Sequence, residues 1–537
     1  MHNLFRHARG VESAPRRRVS CFALENAPPM RYNAIMRAMG NQGNERRTLL
    51  FILAAAALLR FFRLGNQSLW VDETMSFKAF TSVAGVPYWK KFLYDVHGPL
   101  YSLIMHFWSA VSRSDAWLRA PSAIAAACAV YVLYRWLIEL RVKNVATVAA
   151  LFMALSPFHL YYSQELRFYS MLSLFVCLTL IAFERFRATP SFRTGAVLGL
   201  SFALTCLTHF SGLFLGVALF TYLLITGRLR GARLRFGAVA AVIVLIVISP
   251  WVYREISFLR GIRVVDITTL PVEERLRGEL TLSYWSYPYT LYAFATGYSF
   301  GPSLAELHLV TSPFGLFSKY AAEFVTAGLL FGGLFISGII RSSRYGQRSL
   351  FLTVIIVVIG SVTIITAFNV KVFNVRYLMC VFPFFIALIA FGLPAARAAR
   401  FILIGAVCAV MLVSDLSYLF NPKYARENVR DAVKIIAKHE SRGDLMLVPN
   451  VAQTFEHYYR GENAVQIIYP VELGKQRIDE LIQSYFEVHP RIWYLRSRYW
   501  DKDPGDILLK SLPEQGRLAG SWELQGVLLN LYEKGIH

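Results

Sequence analysis

Residues 48–74 read TLLFILAAAALLRFFRLGNQSLWVDET. The run 48–64 is long enough for a helix to cross about 30 Å of hydrocarbon. A short polar link then leads straight to two adjacent carboxylates, Asp72 and Glu73. The 537-residue chain repeats the first half of that pattern: 55% of it is hydrophobic, 17% is charged, and its mean hydropathy is +0.43. Such a chain is too apolar to hide its hydrophobic surface within water-soluble domains. Candidate spans fall at 48–64, 120–139, 145–162, 168–185, 195–209, 211–227, 236–252, 321–340, 349–368, 375–393 and 401–420, about eleven in all. The expected fold class is a polytopic α-helical membrane protein.

The net charge of +22 does not call for nucleic acid, because arginines cluster in the short links between apolar runs, where the positive-inside rule places them. The segment 99–111 decides the topology. Counted as a span, it sends the links at Arg141/Lys143, Arg185/Arg187/Arg193, Arg228–Arg235, Arg341–Arg348 and Arg397/Arg400 to the outer side. Read as an interfacial helix, it leaves all of them in the cytoplasm with the basic tail 1–47. That tail lacks the compact apolar region and cleavage site of a signal peptide. The outer side then receives the first loop 65–119, the link 163–167, the loop 253–320, the link 369–374 and everything from 421 on.

Residues 421–537 alternate helical and strand-like segments. Helical spacing runs from Tyr424 to His439, and strand-like runs cover Leu445–Val448, Ile492–Leu495 and Val527–Leu531. A small α/β domain on the outer face is expected. Cys128, Cys177, Cys206, Cys380 and Cys408 sit in apolar runs and Cys21 in the polar tail, so no disulfide framework is written into any loop.

The chemistry-bearing residues gather at the outer rim. Asp72 and Glu73 follow the first span; a carboxylate there is expensive unless solvated or used, although acidic residues also stabilise helix N-termini. His97-Gly98-Pro99-Leu100-Tyr101 precedes the second span. Ser156 to Ser170 closes the third, with Glu165 and Arg167 as its only charges. The loop 253–320 carries Tyr284 to Tyr289 and Gly297 to Ser303, followed by Glu306 and His308; its aromatic, Gly and Pro content describes a loop dipping into the interface, as a ligand cover or as an aromatic anchor. Glu73, Glu165, His97 and His209 can ligate a metal, but their spacing fits no compact motif, so a divalent metal is neither required nor supported.

Together these motifs resemble the outer-face glycosyltransferases of the protein mannosyltransferase type, which share the GT-C architecture. The branch that includes the lipid A aminoarabinose transferase is the nearest likeness. The resemblance rests on Trp70-x-Asp72-Glu73, His97-x-Pro99-Leu100-Tyr101 and Ser156-Pro157…Tyr162-Ser163-Gln164-Glu165-x-Arg167-x-Tyr169. Asn374 to Leu378, Tyr424 to Val433 and Gly443-Asp444 add to it. It covers about 48–420 and the first segment of the tail domain. It implies sugar transfer from a polyprenyl-phosphate donor to a glycan, lipid or protein on the outer face of the inner membrane, with inversion and without a nucleotide. Asp72 matches the catalytic carboxylate, Glu73 its partner, and Glu165 the acidic residue after the third span. Where the aminoarabinose branch has Glu-Lys-Pro this chain has His97-Gly98-Pro99, so the basic residue and the carboxylate used there are missing, which speaks against a metal or phosphate role at this spot.

The expected base is Asp72, its pKa raised at a low-dielectric rim, with Glu73 or Glu165 orienting it or the acceptor. Arg167, Arg376 and Lys371 are expected on the donor phosphate, with His97 and Tyr101 nearby. Tyr289, Gly297, Ser299, Glu306 and His308 are expected on the sugar or acceptor. A lipid-linked sugar transporter and a polysaccharide ligase or polymerase share the hydropathy; the position of Asp72 directly after the first span speaks against both.

Overall fold

The computed structural model describes residues 29–81, 98–261, 285–309, 313–368, 373–503 and 505–535. Met1–Ile52 and Leu53–His537 separate as two compact units. The stretches expected as spans fall on helices, several of them starting or ending where a proline or a capping residue dictates, although the helix over 48–61 is not among those that qualify as spans by length and apolarity. In chain order they are α1 (Pro29–Phe61), α2 (Val71–Thr81), α3 (Pro99–Ser109), α4 (Asp115–Glu139), α5 (Lys143–Ala154) and α6 (Pro157–Ser163). α7 (Tyr169–Ala188), α8 (Phe192–Thr208), α9 (Gly212–Ile225), α10 (Ala232–Gly261) and α11 (Ser286–Thr296) follow. Then come α12 (Ala321–Ala327), joined by the π turn Gly328–Gly332 to α13 (Gly333–Ser342), and α14 (Arg348–Ala367), α15 (Phe382–Gly392) and α16 (Arg397–Phe420).

Among the described residues, six helices are long and apolar enough to cross a membrane, or seven if the bent pair α5–α6 counts as one span. α8, α9 and α15 are apolar but shorter. α15 is the one most shortened relative to expectation, because residues 375–378 form a separate 3₁₀ turn before it. The segment at 99–111 is an 11-residue helix, roughly 16 Å long and too short to span. It leans on the end of α8: a Cβ on Gly98 would collide with the backbone of Leu207. α13 and α15 approach just as closely, since a Cβ on Gly338 or Gly392 would overlap the carbonyl of Leu388 or Leu334.

The bend of 55° between α5 and α6 has a local cause. Pro157 has no N–H to give to the carbonyl four residues back, that of Met153, so the helix breaks there. Arg60, at the end of α1 and fully buried, donates to the carbonyls of Met153 at 3.0 Å and Ala154 at 2.9 Å at this break. In return the Gln164 amide donates to the carbonyls of Leu59, Arg60 and Phe62. The ends of the first and third spans are thereby laced together.

The tail folds as α17 (Val429–His439), α18 (Ala452–Tyr458), α19 (Lys475–Val488) and α20 (Ile507–Gln515) around a five-stranded mixed sheet. Its strands are β1 (Leu445–Leu447), β2 (Ala464–Gln466), β3 (Arg491–Arg496), β4 (Gly516–Leu524) and β5 (Val527–Lys534), in the order β2-β1-β3-β5-β4. β1 pairs parallel with β2 and β3, whereas β5 pairs antiparallel with β3 and β4. Strand alternation sends Met446, Trp493, Leu495 and Leu529 to the face covered by α17 and α18. It sends Leu445, Leu447, Ile492 and Tyr494 to the face covered by α19 and α20.

Candidate active site

α2 starts directly after the first span and places its two carboxylates on different faces. It buries Glu73, Thr74, Phe77 and Phe80, the i, i+1, i+4, i+7 stripe of an amphipathic helix, and leaves Asp72 about one quarter exposed. Glu73 Oε2 reaches back to the Trp70 N–H at 3.2 Å, the capping contact that an acidic residue near a helix N-terminus makes. The rest of that carboxylate is spent deeper. Arg119 grips it with Nε to Oε1 at 2.8 Å and Nη2 to Oε2 at 2.7 Å, both residues essentially inaccessible. The Leu166 N–H donates to Oε1 at 2.7 Å and Arg426 Nη1 to Oε2 at 3.0 Å. Burial pushes the Glu73 carboxyl up, but Arg119 and Arg426 outweigh it and hold it below the usual range. Glu73 is therefore a structural anchor that fixes the link 163–167 against α2.

Asp72 faces the other way. Arg376 Nη1 donates to its Oδ2 at 2.8 Å, and Arg167 Nη2 lies 3.8 Å from the same oxygen. Arg167 also donates to the Asp72 carbonyl at 3.1 Å and to Ser76 Oγ at 2.8 Å. The sequence reading expected a raised Asp72 pKa, and this is corrected: burial does push the carboxyl up, but Arg167 and Arg376 together pull it net below the ordinary value. The raised carboxyl is Glu165. Burial pushes it up to about 7, against the pull of Arg426 and with the push of Glu73. Arg426 Nη2 donates to its Oε1 at 3.1 Å, and its Oε2 has no partner among the described residues.

A cavity of about 910 Å³ opens beside this cluster. Glu165, Arg376 and Arg426 stand in its wall with Tyr161, Tyr162 and Tyr298, and Asp72 reaches it through Arg376. One end is apolar, formed by Phe324, Ala327, Gly328, Phe331, Gly332 and Phe335 of α12, the π turn and α13. The other end belongs largely to the tail domain.

The other sequence-predicted residues divide. His97 and Lys371 lie outside the described residues. Tyr101 is buried and shares a hydrogen bond with Ser122, whose hydroxyl donates to the Arg167 carbonyl at 2.9 Å, so it stands behind Arg167 and away from the cavity. Tyr289 and His308 line the cavity, with His308 stacked 5.8 Å from Trp500. Gly297 has φ of 67° and its absent Cβ leaves room for Pro157, while Ser299 donates to the Ser414 carbonyl at 2.9 Å. Glu306 caps its own short helix through Ser303 and holds Lys319 and Tyr320, which keeps it well below the usual carboxylate range. His209 is buried, with Nδ1 at 2.8 Å from Ser211 Oγ and its ring stacked on Phe168. Among the described residues no group of three or more His, Cys, Asp or Glu can hold a metal.

Residues 96–253 match the family model described as dolichyl-phosphate-mannose-protein mannosyltransferase. The apo crystal structure of ArnT from Cupriavidus metallidurans superposes with a TM-score of 0.54 at 12% identity, covering 90% of this chain and 97% of that one. The chain shares the fold of that membrane protein. The same ArnT bound to undecaprenyl phosphate covers the same shares with a TM-score of 0.47 and 13% identity. The oligosaccharyltransferase of Archaeoglobus fulgidus gives 0.49 at 13% identity over 90% of this chain and 72% of its own. No curated protein matches the sequence. Arg119 and Arg426 at the carboxylates, and Glu427, Arg498, Trp500 and Gln525 in the cavity wall, are residues that the sequence did not single out. Arg119 carried one usable signal, a charge near the start of an otherwise apolar span.

Proposed function

We propose that this chain transfers a sugar from a polyprenyl-phosphate donor to an acceptor hydroxyl on the outer face of the inner membrane. The observation that carries the reading is Asp72, partly exposed and bracketed by Arg167 and by Arg376, the latter standing in the wall of a cavity that also has an apolar stretch of wall. An isoprenoid suits that apolar stretch, and two guanidinium groups suit a phosphate. ArnT, whose fold this chain shares, has been crystallised with undecaprenyl phosphate.

The arrangement implies an order of events. A donor phosphate entering between Arg376 and Arg167 competes with Asp72 for their N–H groups. The Asp72 carboxylate, released from both, recovers basicity in a site that burial already makes poorly hydrated. It then takes the proton of the acceptor hydroxyl as that oxygen attacks the anomeric carbon. The bond from that carbon to the phosphate oxygen breaks, and the polyprenyl phosphate departs as an anion stabilised by the two arginines. A single displacement inverts the sugar centre.

Glu165 supports a second assignment of the base, since it lines the cavity with one free oxygen and a pKa raised to about 7. Transfer assays in proteoliposomes separate the two. With Asp72 as base, Asp72→Asn loses transfer by about 10²–10⁴-fold while still binding polyprenyl phosphate. Full transfer by Asp72→Asn, with loss in Glu165→Gln, moves the role to Glu165. Full transfer by both variants overturns the enzyme reading.

A further inference from the structure

The end of the cavity opposite the isoprenoid-sized apolar region is built differently. The β4–β5 hairpin turns on two residues, Gln525 and Gly526, and its tip enters the cavity wall. Gly526 is required there: its φ is 66°, and an added Cβ would press on Glu427 at 3.2 Å. The tip is fastened by the Asn428 N–H, which donates to the Gln525 carbonyl at 2.8 Å. The Gln525 side-chain amide, half-buried at that tip, has no partner among the described residues.

Beside it, Arg498 adopts a left-handed backbone, φ 47° and ψ 39°, which a side chain-bearing residue holds only when its surroundings impose it. The surroundings are its cation–π contacts to Trp70 at 6.0 Å and Trp500 at 5.9 Å, and Glu427 at 3.5 Å. The indole N–H groups of Trp70 and Trp500 have no hydrogen-bond partner among the described residues. Glu427 and Arg498 offset each other, and the two further cations of the tail in this wall are already paired, Lys423 with Glu306 at 3.3 Å and Arg426 with Glu73 and Glu165, so this end carries donors and acceptors between aromatic rings with its charges matched. A phosphate monoester needs an excess of cations, which lies instead at Arg167 and Arg376; an acyl chain needs apolar walls. A neutral, polyhydroxylated ring matches both the polar groups and the aromatic surfaces.

Resting on the transferase reading above, we infer that the tail-domain end of the cavity is the acceptor subsite and that it takes an uncharged sugar, so that the acceptor is a glycan hydroxyl. Trp70, whose ring Arg498 faces at 6.0 Å, lines the same cavity two residues before Asp72.

The test uses the full-length protein in nanodiscs and saturation-transfer NMR with methyl glycosides of glucose, galactose, mannose and N-acetylglucosamine. Glucose 1-phosphate and an N-acetylated serine amide serve as the anionic and peptide probes. At least one neutral glycoside is expected to bind, equally well to Asp72→Asn, and about tenfold more weakly to both Gln525→Ala and Trp500→Ala. Polyprenyl phosphate binding should stay unchanged in these variants, which reports that they fold. Binding of no neutral glycoside, equal binding by both tail variants, or binding of only the sugar phosphate or the serine amide overturns the acceptor inference. In each of those cases inactivity of Asp72→Asn still upholds the transferase reading, so the two can fail separately.

Discussion

Replacing Arg119 with methionine probes the innermost ion pair. The guanidinium makes two contacts with Glu73, at 2.7 and 2.8 Å, and donates to the carbonyls of Leu64, Gln67 and Ser68. Both side chains are at most 1% exposed, so solvent cannot replace what is lost. Removing one member of a buried pair typically costs about 3–5 kcal/mol. Here Arg426 Nη1 remains 3.0 Å from Glu73, and the N–H groups of Trp70 and Leu166 still donate to it, which points to the lower end, about 3 kcal/mol. The stranded carbonyls of residues 64, 67 and 68 keep the figure from falling much below that. Unfolding in mixed micelles with increasing SDS measures the change. The double variant Glu73→Gln with Arg119→Met should recover part of the loss, because the orphaned charge has gone. A single variant within about 0.5 kcal/mol of the parent refutes the view that this pair anchors α2 to the link 163–167.

Three other outcomes follow from the same geometry. Between the ordinary Glu value of 4.5 and about 7, the folded chain holds a proton on Glu165 that the unfolded chain has released, so stability falls as pH rises through that window. Glu165→Gln should flatten this dependence in unfolding curves taken from pH 4 to 8, and an unchanged slope assigns it elsewhere. Arg60→Leu strands the Met153 and Ala154 carbonyls at the Pro157 break and should destabilise by about 2 kcal/mol while lowering kcat more than the donor KM; a pure KM effect contradicts the positioning argument. Gly392→Ala forces α13 away from α15 and should destabilise by about 1–3 kcal/mol, measured as the fraction remaining monodisperse after heating in detergent.

The longer spans were legible because a twenty-residue apolar run has few other uses. The segment at 99–111 was ambiguous by length and was assigned to the interface from the basic links; it forms an 11-residue helix, shorter than a span needs. In the tail, the strands at 445, 492 and 527 announced themselves by apolar runs buried on both faces. β2 is three residues long, and β4, reading GRLAGSWEL, is a largely exposed edge, so neither carried a hydrophobic signature. At the site, Asp72, Glu165, Arg167 and Arg376 could be picked out by their position at the outer ends of spans. Their electrostatics could not, because the sign of the Asp72 shift depends on two arginines distant in sequence outweighing burial. Arg426 meets Glu73 across 353 positions and Glu165 across 261, separations at which a single sequence holds no record of contact.

That same arginine enters late in the chain. Residue 426 leaves the ribosome after every apolar helix through residue 420, and until it docks the carboxylates at 73 and 165 lack the cation that joins them. A chain ending after its last hydrophobic helix keeps the Arg119 grip on Glu73 but leaves Glu165 without its guanidinium, so the tail domain supplies the one contact that ties the two carboxylates to each other.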